Sequence, residues 1–139
     1  MTDLSGRQAA ASQQGAAFET TVETLLKIHN WTIVATKWRH PEVDVEVDIV
    51  AVHPATGQEW WIECKGSWEG YRPGLRRTDT VKKALFNGAM LAVTSDRKPY
   101  MIICSHMPAE GTAGSTWLGR AKGIYVDEVC DSDSIGDLR

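Results

Sequence analysis

The alternation of apolar and polar residues along residues 43–65 is the strongest structural signal in this chain. Side chains of a strand point alternately to two faces, so residues two apart share a face. Residues 43–52 and 59–65 follow this pattern, and we predict a strand for each. Residues 53–58 contain Pro54 and Gly57, which are typical of turns, so we predict that the two strands form a hairpin.

Helices are predicted on both sides of this hairpin in the sequence. Apolar residues recur at helical spacing from about residue 12 and again from residue 79 or 80 to about 92. Further strands are predicted at 31–36, 100–104 and 123–127, with a short turn near 115–119. We therefore predict one α/β domain over residues 1–139, with an α-β-β-β-α-β core whose central mixed β-sheet is flanked by helices. Residues 1–11 and about 131–139 are expected to be flexible.

The composition is that of an ordinary globular domain. Of the 139 residues, 42% are hydrophobic and 24% are charged, which is usual for this class. No stretch approaches the ~20 apolar residues of a membrane span, and no signal pattern is present, so we expect a cytoplasmic protein with no membrane partner. Cys64, Cys104 and Cys130 are an odd set without close spacing, which predicts reduced, buried thiols.

The charges are unevenly distributed along the chain. A net charge of −3 taken alone argues against a nucleic-acid partner. Residues 65–83, however, carry six basic residues against Glu69 and Asp79, whereas residues 127–139 carry five acidic residues against Arg139. A basic middle and an acidic end are compatible with a DNA-facing surface on an acidic protein.

Two carboxylates are expected to face each other across the predicted hairpin. Asp48 lies five residues before the turn and Glu63 five residues after it, so symmetric folding places them nearly opposite. Lys65 shares the face of Glu63, and Glu46 shares that of Asp48. Divalent cations such as Mg²⁺ prefer oxygen donors, so these acids can converge on one cation. The alternative is a solvated strand face on which Lys65 is only an ion-pair partner.

The first predicted helix contributes a further acid. At about 100° per residue, Glu19 lies at the edge of the apolar face and is the acid best placed to face into the fold, with a plain surface role as the alternative. The histidines His40, His53 and His106 are isolated in the sequence, and we interpret them as loop or surface groups.

Together these features resemble the PD-(D/E)XK nuclease superfamily, which has the restriction-endonuclease-like fold. The resemblance covers roughly residues 12–104 and is to small resolvase-like or restriction-like members. Its motifs are Gly15-Ala16-Ala17-Phe18-Glu19, Glu46-Val47-Asp48-Ile49-Val50-Ala51 and Glu63-Cys64-Lys65. Val47 stands where the family name has Pro, and the second helix lacks the Gln or Tyr signature of helicase-coupled exonucleases. The branch is therefore open.

The resemblance implies a metal-dependent DNA endonuclease that hydrolyses phosphodiester bonds. Asp48 and Glu63 would bind Mg²⁺, with Mn²⁺ as a substitute, and the backbone carbonyl of Cys64 would be a further ligand. Lys65 would assist the nucleophile. Glu19 would complete the catalytic set, and both Glu19 and Glu46 are candidates for additional metal ligands. We expect structure-specific or resolvase-like cleavage by a homodimer.

The expected DNA contacts follow the third strand. The segment after Lys65 interleaves aromatic side chains, which can stack on bases, with basic side chains, which can pair with phosphates. The candidates are Trp68, Tyr71, Arg72, Arg76 and Arg77, together with Lys82 and Lys83 in the second helix. Two other functions stay open: a nuclease that processes ends or single strands, and a non-catalytic nucleic-acid-binding or assembly domain of the same fold.

Overall fold

The computed structural model describes residues 4–67 and 73–138, with side chains from residue 13 onward. The helices are α1 (Leu4–Ile28), α2 (Thr78–Ala92) and α3 (Ala113–Ala121). The strands are β1 (Thr32–His40), β2 (Val45–Val52), β3 (Glu59–Lys65), β4 (Tyr100–Cys104) and β5 (Glu128–Asp131). Short 3-10 helices lie at Gly74–Arg76 and Ser132–Asp137.

The five strands form one mixed sheet in the order β1-β2-β3-β4-β5. The first three strands are antiparallel neighbours, whereas β3, β4 and β5 run parallel to one another. Parallel neighbours require crossover connections, and α2 and α3 supply them. The turn of the hairpin closes through the amide of His53, which donates to the carbonyl of Gln58 at 2.9 Å. The predictions of this hairpin and of an α/β domain with a mixed, helix-flanked sheet are confirmed.

Each face of the sheet carries its own apolar core. On one face α1 packs through Phe18, Val22 and Leu26, all fully buried, against Ile62 and Met101. On the other face α2 and α3 cover a second cluster, which includes Val50, Trp61, Leu85, Tyr100 and Ile102. Neighbouring residues such as Trp61 and Ile62 belong to opposite clusters because strand side chains alternate. The sheet is therefore buried on both sides.

Helix α2 is held close to β4 at one point. A Cβ built on Gly88 would lie 2.6 Å from the ring of Tyr100, so only glycine allows this approach. The phenol of Tyr100 donates a 2.8 Å hydrogen bond to the carbonyl of Ala84, one turn earlier in the helix. These contacts fix the position of α2 on the sheet.

The structure corrects our prediction of the fifth strand. Residues 123–127, predicted to be a strand, form the turn that ends α3. Gly123 has a left-handed φ of 87°, and the amides of Ile124 and Tyr125 bond back to the carbonyl of Ala121. A glycine in this conformation just after a helix is a common termination signal. The fifth strand begins only at Glu128.

Regular structure also extends further towards both ends than we expected. Helix α1 begins at Leu4, within the region expected to be flexible. The 3-10 helix Ser132–Asp137 lies in the other such region, and its Ile135 is 1% exposed within the α1-side core. A single apolar side chain anchors this segment, which is a weak signal in a stretch of acids and serines. No helix among the described residues is both long and apolar enough to cross a membrane.

The close packing of α2 predicts an unusual response to alanine. We expect Gly88→Ala to lower the free energy of unfolding by about 1–3 kcal/mol, because the added methyl group meets the ring of Tyr100. Gly119→Ala in α3 is the matched control: no described atom lies within 4 Å of the new Cβ, so better helix propensity should stabilise the protein by up to ~1 kcal/mol. Urea unfolding measures both changes, and equal effects of the two substitutions would contradict the packing argument.

Candidate functional site

Asp48 and Glu63 lie next to each other on adjacent strands. The register of β2 and β3 pairs Ile49 with Ile62, so Asp48 and Glu63 are the next residues along the two strands. Their exposed fractions are 8% and 3%. The predicted juxtaposition of these two carboxylates is confirmed, and both are buried between the layers of the fold.

A side-chain hydrogen bond fixes Asp48 against β3. Its Oδ2 accepts the backbone N–H of Cys64 at 2.8 Å. The residue pairing between the two strands ends at Ile49 and Ile62, and at Cys64 the Asp48 carboxylate serves as the acceptor. The carboxylate therefore lies in the gap between the two strands.

Glu63 has a donor on each of its two oxygens. The Nζ of Lys65 lies 3.2 Å from Oε1, and the Nδ2 of Asn87 donates to Oε2 at 3.1 Å. Lys65 is on the same strand and face, as expected, whereas Asn87 comes from α2 and was missed by the sequence analysis. Burial raises the pKa of the nearby Tyr100 phenol, and the charge of Glu63 adds to the effect.

The proximity of the two carboxylates changes the pKa values of Asp48 and of the neighbouring Lys65. Burial raises the pKa of Asp48 to about 8, and the neighbouring charge of Glu63 adds to the effect. Burial by itself would lower the pKa of Lys65, but the Glu63 carboxylate outweighs it and the pKa is raised. Lys65 is therefore a stable cation, and ionisation of Asp48 beside Glu63 is disfavoured in the metal-free protein.

Glu19 approaches the pair from α1. The preceding residue, Phe18, packs on Gly66 directly after β3, where a Cβ would lie 2.6 Å from its ring. This contact sets the helix beside the end of β3. Burial raises the pKa of Glu19 to about 7, and the charge of Asp48 contributes next. Glu46, the other candidate ligand, is exposed at the edge of the group, where its charge also raises the pKa of Glu19.

The donor set fits a hard divalent cation. Asp48 and Glu63 supply carboxylate oxygens, and the raised pKa values of Asp48 and of the neighbouring Glu19 reflect burial and like-charge repulsion that a cation would offset. Among the described residues, the carboxylate oxygens of Asp48, Glu63 and Glu19 do not all lie within 4.8 Å of one another. The thiol of Cys64 is buried and its pKa is raised, so it stays protonated and is a poor ligand. The role of the Cys64 carbonyl stays a prediction.

The predicted DNA contacts divide into two groups. Arg76, Arg77, Lys82 and Lys83 are exposed around the start of α2. The Nζ of Lys82 lies 5.5 Å from the centroid of the Trp117 ring, a cation–π distance. Trp68, Tyr71 and Arg72 lie outside the described residues.

A second group of possible metal ligands surrounds His40. Our interpretation of this histidine as a surface group was wrong, because it is 1% exposed and its Nε2 lies 2.6 Å from Oδ1 of Asp96 and 3.9 Å from Oε2 of Glu42. Its Nδ1 accepts the backbone N–H of Glu42, so a neutral ring carries its proton on Nε2 and donates it to Asp96. Ser95 donates twice to Glu42 through its amide and hydroxyl. These bonds satisfy the group without a metal and tie the β1–β2 turn to the loop before β4.

A groove of about 550 Å³ opens on the α1 side of the sheet, away from the carboxylate pair. Trp31, Trp60 and His53 line it, together with acidic residues that include Asp131. His53 is a loop residue, in line with our interpretation of it as a loop or surface group, but its side chain is buried and its ring meets that of Trp31 edge to face at 4.8 Å. The acidic lining disfavours a nucleic-acid backbone in this groove.

Comparisons with protein-family models, with curated proteins and with solved structures found no match to this chain.

The raised pKa of Asp48 predicts how stability depends on pH. The pKa of Asp48 is near 4 in the unfolded chain and about 8 in the folded protein. Its contribution to the free energy of unfolding is therefore fully present below pH 4 and is lost as the pH rises through 8. In Asp48→Asn the group cannot ionise. We therefore expect the stability of this variant, relative to the unaltered protein, to increase from pH 5 to pH 9.

Thermal unfolding in a metal chelator measures this effect. Asp44→Asn is the control, because the side chain of Asp44 is 84% exposed and its salt bridge to Arg39 lies at the surface. Parallel pH curves for the Asp48 variant and the unaltered protein would show that burial does not perturb this carboxylate.

Proposed function

We propose that this protein is a metal-dependent DNA endonuclease of the PD-(D/E)XK nuclease superfamily, and that it hydrolyses phosphodiester bonds. The observation that carries the proposal is the buried pair Asp48 and Glu63 with the ammonium group of Lys65 on one of them. The hard oxygen donors suit a divalent cation, and the adjacent cation suits a reaction that develops negative charge on a phosphate.

A purely structural role explains this group less well. The ion pair of Lys65 and Glu63 would be complete without a second acid. Burying Asp48 next to Glu63 adds desolvation and like-charge repulsion, which lower stability. Unfavourable groupings of titratable residues are concentrated at functional sites, where the strain serves binding or catalysis.

In the proposed enzyme Asp48 and Glu63 hold Mg²⁺, or Mn²⁺ in its place, and the Cys64 carbonyl, Glu19 and Glu46 are the additional candidates. When bound, the cation supplies electrostatic stabilisation of the charge that builds up during phosphodiester hydrolysis. Lys65 is partly exposed and stays charged, so its ammonium group can hold the nucleophile or neutralise charge on the phosphate. Glu19, with a pKa of about 7, can exchange a proton near neutral pH and orient water.

The exposed basic residues around the start of α2 supply the proposed DNA contacts. Arg76 and Arg77 follow the segment that leaves β3 at Lys65, and they lie 11 and 12 residues after Lys65 along the chain. The amide of Leu75 donates to the carbonyl of His106, which holds this short 3-10 helix beside the end of β4. Phosphates that contact these arginines are thereby directed towards the carboxyl ends of β3 and β4.

We further propose a homodimer, because two copies of so small a domain grip more of a duplex and can cut both strands. The exposed apolar side chains of Phe86 on α2 and Val93 directly after it, 60% and 72% exposed, support a surface that is covered by another copy. Light scattering of the purified protein tests the assembly, and a monomeric mass at assay concentrations would contradict it.

Cleavage assays test the proposed activity. We expect the purified protein to cut at least one of linear, circular, single-stranded or branched DNA in Mg²⁺ or Mn²⁺, and to be inactive in a chelator. Asp48→Ala and Glu63→Ala should each lower the rate by about a thousandfold, because a metal contributes several kcal/mol to such a reaction. Glu59→Ala, at the far end of β3, is the matched control and should retain activity.

The same panel separates the alternatives. Preference for free ends or single strands would favour a processing nuclease, whereas DNA binding without any cleavage would favour a non-catalytic domain. Lys65→Ala should lose most activity but still bind Mn²⁺ in a calorimetric titration, because it assists the reaction without ligating the metal. Cleavage by the Asp48 variant at the unaltered rate would contradict the assigned site.

Salt dependence tests the DNA surface. Arg76→Ala/Arg77→Ala should weaken DNA binding and reduce the slope of log affinity against log salt by about 1.8, because each phosphate contact contributes roughly 0.9. The control, Lys27→Ala/Lys98→Ala, removes two charges near the starts of β1 and β4, towards the other end of the sheet. Fluorescence anisotropy measures both slopes of log affinity against log salt. Equal slopes for the two double variants would show that the DNA-binding surface lies elsewhere.

A further inference from the structure

Asn87 brings a hydrogen-bond donor from helix α2 to Glu63, because its side-chain amide donates to Oε2 at 3.1 Å. Only the NH₂ group of an asparagine can donate to a carboxylate, so the chemistry itself assigns which end of the amide faces Oε2. Asn87 is half-buried, and its helix turn is the one clamped to the sheet by Gly88 and Tyr100. The amide is therefore held on a turn of α2 that packs closely on the sheet.

We propose that Asn87 is a positioning residue that fixes the carboxylate plane of Glu63 for metal binding, which rests on the proposed function. The terminal torsion of a glutamate is broad and has no strong preference of its own. Lys65 holds Oε1 from a flexible four-carbon stem and can follow the carboxylate as it rotates. Asn87 holds Oε2 from a fixed point, so the two donors together select one orientation.

The neutrality of Asn87 is what suits it to this position. A carboxylate has about four lone-pair sites, and Lys65 and Asn87 occupy one on each oxygen. The remaining sites face the neighbouring Asp48 and Tyr100 and are the ones that a cation would use. A lysine or arginine in place of Asn87 would satisfy Oε2 equally well but would repel the metal. The amide orients Glu63 without changing the net charge of the site.

An alternative role for Asn87 is to tie α2 to β3 without any effect on the metal. The two roles differ in what a substitution changes. Asn87→Leu keeps the side-chain shape and removes the amide. If Asn87 only holds α2 on β3, this variant should be less stable than the unaltered protein but should bind metal with the same affinity. A positioning role predicts weaker metal binding as well, because hydrogen-bond partners of metal ligands typically contribute 10- to 100-fold to affinity.

Calorimetric titration with Mn²⁺ and Mg²⁺, without DNA and at fixed pH, is the test. We expect Asn87→Leu to bind Mn²⁺ about 10- to 100-fold more weakly than the unaltered protein. Thr94→Val is the matched control: the buried hydroxyl of Thr94 donates to the carbonyl of Leu91 at 2.7 Å, so it removes a hydrogen bond at the end of the same helix. Its metal affinity should be unchanged.

Each outcome bears on the proposal. Unchanged Mn²⁺ affinity in a folded Asn87→Leu protein overturns the positioning role while the proposed function stands. Absence of metal binding by the unaltered protein overturns both. If Asn87→Leu does not fold, Asn87→Ser, which keeps a polar group too short to reach Oε2, must show the same loss of affinity or the proposal fails.

Discussion

The burial of two adjacent carboxylates is the constraint on which the rest of the site depends. Asp48 and Glu63 lie between layers of apolar side chains, where water cannot screen their repulsion. The protein offsets this cost with specific donors: the Cys64 amide serves Asp48, while Lys65 and Asn87 serve Glu63. These donors come from the strand that carries Glu63 and from the helix that follows it, so the site exists only when β2, β3 and α2 are assembled.

The mixed sheet makes this assembly possible. Antiparallel pairing with β2 puts Asp48 beside Glu63, and the parallel step from β3 to β4 requires the crossover that brings α2 over the same face. The close contact of Gly88 with Tyr100 then sets the depth at which α2 lies on the sheet. Core packing and site geometry are thus two consequences of the same helix position.

The parts of the site that could be predicted are those fixed by short-range pattern. Strand alternation and a turn of defined length are enough to pair Asp48 with Glu63 and to put Lys65 on the same face. Asn87 could not be found in this way, because helical periodicity gives the buried face of α2 but not the strand residue that each position meets. Its signal was an amide one residue before Gly88, just outside the apolar face of the predicted helix.

Longer-range contacts explain the other differences. His40 is buried because Trp61 packs edge to face on its ring and the loop before β4 brings Asp96 to its Nε2, a contact between residues 56 positions apart. The fifth strand was misplaced because residues 123–127 have the apolar content of a strand, whereas the left-handed conformation of Gly123 determines their path. The charge of the site follows from its composition: with Glu19, Asp48 and Glu63 ionised and Lys65 protonated, the net charge is −2. In the proposed function this balances one divalent cation, and the loaded site no longer repels a phosphate.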